Sequence, residues 1–132
     1  MGDETLTLAR GERTFALLNR FPYTSGHTMV APVAHVADLC ELDAATLADL
    51  MGLVQRVVRA VRQVYQPHGF NVGFNLGEAA GAGIADHLHL HVVPRWRGDT
   101  NFMAVTADVR GLPEDLSVTR AKLRRALEVT GG

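Results

Sequence analysis

Three histidines stand two residues apart in "DHLHLHVVPRW": His87, His89 and His91, with Leu88 and Leu90 between them. Imidazole changes charge near neutral pH and can serve as metal ligand, acid, base or nucleophile. In an extended strand successive side chains face opposite ways. The three imidazoles then share one surface, while Leu88, Leu90 and Val92 turn toward a core. Same-face neighbours lie about 6.6–7 Å apart, so the first and third are roughly 13 Å apart at Cα, against a zinc–nitrogen bond of about 2.0 Å. One ion cannot easily be held by all three. A metal reading needs two of them plus a distant ligand, with His27, His35 or Cys40 as candidates. A packing reading suits a lone histidine, but each of three in register weakens the apolar contribution of the strand. The third reading is nucleophilic. A neutral ring nitrogen can attack an electrophilic phosphorus, provided an acceptor such as a backbone carbonyl keeps the other nitrogen protonated. The middle histidine then has an imidazole on each side to bind non-bridging oxygens or protonate a leaving group. The upstream run "GEAAGAG" offers backbone N–H groups that can cradle charge, although glycine clusters are more often plain turns.

The elements that must position these residues follow from the patterning. "TFALLNRFPYTSGHTMVAP" carries two apolar runs, Phe15 to Leu18 and Thr28 to Ala31, separated by Pro22, Ser25 and Gly26, which reads as strand, turn, strand. From Asp43 to Tyr65, Leu47, Leu50, Met51, Val54, Val57, Val58, Val61 and Val64 recur at steps of three and four. This predicts an amphipathic helix with Asp43 as N-cap and Pro67 and Gly69 beyond its end. "FNVGFNL" reads as a strand, the glycine run as a loop, and the histidine segment as another strand. Asp115 to Val129 reads as a second helix, with Leu116, Val118, Leu123 and Leu127 as its apolar residues and Arg120, Lys122, Arg124 and Arg125 on the remainder. No repeat, low-complexity tract or linker divides residues 1–132, so a single α+β domain with an antiparallel sheet is expected.

A chain of 132 residues can bury one sizeable core, and 47% hydrophobic with 20% charged residues is an ordinary globular balance. No apolar run approaches the roughly 18 residues of a membrane span. The formal charge of -1 supplies no field for nucleic acid, so an anionic ligand must be held locally. Cys40 is the only cysteine, which excludes an internal disulfide and a multi-cysteine zinc site and fits a reducing, cytoplasmic setting. The start "MGDETLTLAR" is neither a secretory signal nor, with Leu6 where Ser or Thr is wanted, a myristoylation motif.

"HLHLHVV" matches the His, apolar, His, apolar, His, apolar, apolar signature of the histidine triad (HIT) proteins, and the chain resembles that family from about Phe15 to Phe102. "LLNRFPYTSGHTMVAP" resembles the fragile-histidine-triad branch, and "HVVPRWRGDTNFM" resembles bacterial members that act on diadenosine polyphosphates as hydrolases or phosphorylases. The resemblance implies a HIT-like α+β fold, a homodimer whose sheets join, and cleavage of a phosphoanhydride or phosphoramidate through a covalent nucleotidyl-histidine. By position, it implies His89 as nucleophile, His91 at the scissile phosphate or bridging oxygen, and His87 orienting the triad. Asn19 matches a ribose contact, His27 a histidine that supports the triad from behind, and Asn75 a glutamine near the phosphates. His35 resembles a histidine of another branch, or is a surface residue at a strand end. Gly81 and Gly83 belong to the phosphate-facing loop; some relatives carry Ser where Gly83 stands, and the missing hydroxyl argues against phosphorolysis. Trp96 is placed either to stack on a base or ribose or to anchor packing. No resident metal or cofactor is implied, although magnesium can accompany the polyphosphate. Many bacterial members carry a longer front segment with a zinc-binding cysteine pair. This chain lacks it, so it is expected to be a short member or one trimmed at the front. A phosphoramidate or acyl-adenylate hydrolase, or a non-catalytic nucleotide-binding module, would use the same pocket.

Overall fold

The computed structural model describes residues 6–80, 87–99 and 114–130. Among these, five strands form one antiparallel sheet: β1 Thr7–Arg10, β2 Thr14–Leu18, β3 Thr28–Pro32, β4 Gly69–Phe74 and β5 Leu90–Arg95, in the order β1-β2-β3-β5-β4. Two helices, α1 Ala44–Tyr65 and α2 Leu116–Thr130, pack on one face. This is the α+β arrangement the pattern predicts. No helix among the described residues is long and apolar enough to cross a membrane.

Helix α1 begins where the sequence places it. Asp43 accepts from the Thr46 N–H at 2.8 Å, satisfying a donor the first turn leaves open. Gln66 closes the helix in the left-handed region at φ 50°, just before Pro67. The buried stripe is Leu50, Leu53, Val54, Val57, Ala60 and Val61, which meets Ala16, Leu18, Val30, Leu90 and Val92 from the sheet and Leu123, Ala126 and Leu127 from α2. Leu47, Met51 and Val118, which the spacing counts among the apolar residues of the two helices, are exposed at 40–43%.

Two features differ from the sequence expectation. β1 is an additional strand; its four residues lack the β-branched and aromatic enrichment that marks a strand. It is held by pairing to β2 and by Arg120 Nε, which donates to Thr7 O. Its turn into β2 is gripped by Asp49, which accepts from Arg13 N and Thr14 Oγ1; a Cβ on Gly11 would come within 2.6 Å of that carboxylate. The histidine strand is also shorter than expected, starting at Leu90. Its partner β3 ends at Pro32, which has no N–H for the ladder, and Leu88 N–H bonds to Val36 O instead. The alternation survives this: Leu88, Leu90 and Val92 are buried while the three histidines are half-buried.

Replacing the fully buried Leu50 by Ala is expected to cost about 2–5 kcal/mol in denaturant unfolding, through lost burial and an unfilled cavity. Met51→Ala, one residue on, is expected to cost about 1 kcal/mol or less because its side chain already meets water. Equal losses would contradict this reading of the core.

Candidate active site

The site lies on the sheet face opposite the helices. His91 is on β5, and His87 and His89 lead into it. His27 is the last residue before β3, and Asn19 the first after β2. The loop between Asn19 and His27 is closed by Asn19 N–H donating to His27 O at 3.2 Å. Neighbours hold it from three sides. Thr24 Oγ1 donates to Pro94 O, Glu114 N donates to Ser25 Oγ, and Gly26 lies against the Tyr65 ring. Gly26 has φ +89°, and a Cβ there would sit 3.2 Å from that ring, so both conformation and space demand glycine. Tyr65 in turn donates to Glu114, which also accepts from Thr119 and Lys122.

The hydrogen bonds fix where each imidazole keeps its proton. Tyr23 N–H donates to His27 Nδ1 at 3.1 Å, so a neutral His27 carries its proton on Nε2. That proton points at His91 Nδ1, 2.9 Å away. His91 therefore accepts at Nδ1 and offers Nε2–H. Asn19 lies beside the same His27 nitrogen at 3.3 Å, its amide oriented by the Phe21 N–H on Oδ1. His89 Nδ1 lies 2.8 Å from His87 O, an obligate acceptor, so Nδ1 is protonated and Nε2 keeps a free lone pair. His87 Nε2 lies 2.6 Å from Pro32 O and donates to it.

The rings of His89 and His91 meet edge-on at 4.8 Å, and those of His27 and His91 lie tilted at 5.1 Å. His87 turns the other way, toward His35 at 5.2 Å and Phe15 at 6.4 Å. The sequence signature thus divides into a close pair, His89 and His91, backed by His27, and a separate His87–His35 contact. Among the described residues no group of three His, Cys, Asp or Glu side chains is arranged to hold a metal ion.

Asn75 lines a cavity of about 330 Å³ beside His91, together with Tyr23, His27, Asn71, Gly73 and Val93. Trp96 is half-buried and outside that lining; its backbone is held in a turn by Asp99. Gly81 and Gly83 lie outside the described residues, as does the end of the "GDTNF" run. Asp99, from that run, is 5% exposed and takes two hydrogen bonds from Arg95, whose third donor reaches Asn71 Oδ1 at 2.5 Å. Sequence reading missed Tyr23, Asn71 and Asp99.

The family model for the HIT domain matches residues 4–98. The chain belongs to the HIT family. It is 46% identical over 121 residues to a protein of Mycobacterium tuberculosis named AP-4-A phosphorylase, covering 92% of this chain and 62% of that relative, so it spans less than two thirds of the relative's length. Among solved structures, a zinc-bound histidine triad family protein from Mycobacterium smegmatis superposes with a TM-score of 0.76 at 32% identity, covering 93% of this chain and 84% of that one. A histidine triad nucleotide-binding protein from Sulfolobus tokodaii gives 0.77 at 29%, covering 94% and 84%. These agree with the antiparallel sheet and two packed helices described above.

Burial is the main reason the pKa of His27 falls from 6.5 to about 4, with charge on His91 and His89 adding to it. Burial, then His89, also lowers His91. Between roughly pH 6.5 and pH 4 the unfolded chain binds the His27 proton and the folded protein does not, so stability falls as pH falls through that window. At about 1.4 kcal/mol per unit, His27 alone removes about 3 kcal/mol over that range. Denaturant midpoints taken from pH 7 to pH 4 are expected to drop less steeply in His27→Gln than in the parent protein. Parallel acid slopes would contradict the assignment.

Proposed function

We propose that this HIT protein transfers a nucleoside monophosphate from a dinucleoside polyphosphate, of the diadenosine tetraphosphate kind, through a covalent nucleotidyl-histidine on His89. One observation carries the reading: the 2.8 Å hydrogen bond between His89 Nδ1 and His87 O, which leaves Nε2 as a free nucleophile on the cavity side of the sheet. In the first step the Nε2 lone pair attacks the α-phosphorus and the bond to the bridging oxygen breaks. The positive charge that develops on the ring is stabilised by the Nδ1–H bond to the carbonyl. The departing nucleoside polyphosphate is stable as an anion, so a hydrogen bond from His91 Nε2–H to the bridging oxygen is sufficient help. In the second step an acceptor oxygen attacks the same phosphorus, the N–P bond breaks, and His89 is restored. Asn19 is read as the ribose contact, and Asn75 with Gly81 and Gly83 as phosphate contacts.

Two considerations support phosphate over water as acceptor. The relative at 46% identity is named a phosphorylase. Water needs a base, whereas His91 has its Nδ1 occupied by His27 and a proton on Nε2; phosphate at neutral pH already carries a nucleophilic oxyanion. The lack of a hydroxyl at Gly83 weighs the other way. The reading needs no resident metal, with magnesium travelling on the polyphosphate, and takes the protein as a cytoplasmic homodimer on the strength of the family resemblance.

Incubation with diadenosine tetraphosphate, with and without inorganic phosphate, decides the reaction. ATP and ADP appearing only with phosphate is the expected outcome; ATP and AMP without it means hydrolysis, and no cleavage in either condition overturns the reading. His89→Asn is expected to lower turnover by at least about a thousandfold while AMP still binds. Retained turnover would remove His89 from the mechanism.

A further inference from the structure

The first turn of α2 is served by Asp115 and makes no use of Glu114, the residue before it. Asp115 Oδ1 accepts from the Ser117 N–H and hydroxyl, and Asp115 O accepts from the Val118 and Thr119 N–H groups. Glu114 instead faces back toward α1 and the active-site loop. Its N–H donates to Ser25 Oγ at 2.8 Å, while its carboxylate accepts from the Tyr65 and Thr119 hydroxyls and the Lys122 ammonium. The Glu114 side chain is only 21% exposed. A carboxylate taken out of water is costly unless its lone pairs are filled, and donors from both helices fill this one.

Ser25 and Gly26 are the two central residues of a tight turn, closed by His27 N–H donating to Thr24 O at 3.1 Å. Gly26, at φ +89°, stands where a type II turn needs a positive value. Glu114 holds the first central residue through Ser25 Oγ. Its partner Tyr65 holds the second, with the ring against Gly26. Just outside the turn on one side is Tyr23, whose N–H donates to His27 Nδ1 at 3.1 Å; His27 itself closes the other side. Tilting the turn therefore moves donor and acceptor relative to each other. Were that bond lost, a neutral His27 could carry its proton on Nδ1 and turn a bare Nε2 to His91. His91 would then have to donate from Nδ1, and its Nε2 would have no hydrogen to offer the bridging oxygen.

We infer that Glu114 is a positioning residue for His27: it anchors the Ser25–Gly26 turn directly and through Tyr65, and so keeps the Tyr23 N–H aimed at His27 Nδ1. The inference rests on the proposed nucleotidyl transfer, in which His91 Nε2–H assists the leaving group. The test measures kcat for diadenosine tetraphosphate and the nitrogen-15 ring signals of His27 in the parent, Ser25→Ala, Glu114→Ala and Glu114→Gln. Asp43→Ala, at the far end of α1, is the control for lost stability. Ser25→Ala and Glu114→Ala are expected to lower kcat about ten- to a hundredfold and to move the neutral His27 ring away from protonation at Nε2. Glu114→Gln, whose amide oxygen still accepts from Tyr65 and Thr119, is expected to keep the parent signals and a kcat within about threefold. Asp43→Ala is expected to lower the unfolding midpoint and change neither readout. If Glu114→Ala does not fold, Ser25→Ala and Glu114→Gln decide by the same criteria. A lower kcat with unaltered His27 signals, failure of Gln to rescue, or an equal loss in Asp43→Ala would overturn the inference. A parent that cleaves no dinucleoside polyphosphate overturns the functional reading, and the ring signals then decide the positioning by themselves. An active parent whose kcat and His27 signals are matched by Ser25→Ala and Glu114→Ala overturns the inference alone.

Discussion

A neutral imidazole has one proton for two nitrogens, and in this protein the backbone decides which nitrogen holds it. Tyr23 N–H faces His27 Nδ1, and the carbonyls of His87 and Pro32 face His89 Nδ1 and His87 Nε2. From these three main-chain groups the rest of the network follows. His27 must donate to His91, His91 must present Nε2–H, and His89 must present a bare Nε2. Burial reinforces the arrangement by keeping His27 and His91 from taking a second proton at neutral pH. The fold's task at this site is to aim backbone groups.

The Tyr23 amide lies on a loop with little secondary structure, so its aim depends on what clamps the loop. The clamp joins distant parts of the chain. Pro94 on β5, Tyr65 at the end of α1 and Glu114 just before α2 each hold one of three consecutive residues, Thr24, Gly26 and Ser25. Burial, and then the bond to Glu114, raises the Tyr65 phenol, so it remains a donor across the whole neutral range. The two helices thus fill the core on one sheet face and, through their ends, brace the loop that serves the opposite face.

Much of this was legible in the sequence where one physical signal dominated. The three-and-four spacing from Leu47 to Val64, closed by Asp43 and Pro67, delimits α1 within a residue or two, and the Leu88, Leu90, Val92 alternation separates core from site. Legibility failed where position depends on partners distant in sequence. β1 is four residues of weak propensity stabilised by β2 and Arg120. His87 and His89 share a motif, yet Pro32 cuts the ladder short, and His87 turns to His35 while His89 turns to His91. The donor on which the tautomers turn, Tyr23 N–H, is a backbone atom, and no side-chain motif reports it.

Nitrogen-15 NMR of the histidine rings at neutral pH observes these ring protons directly. With assignments from single-histidine variants, the neutral form of the His89 ring is predicted to carry its proton on Nδ1, and those of His27 and His91 on Nε2. A His89 ring protonated on Nε2, or a His27 ring protonated on Nδ1, would contradict the account.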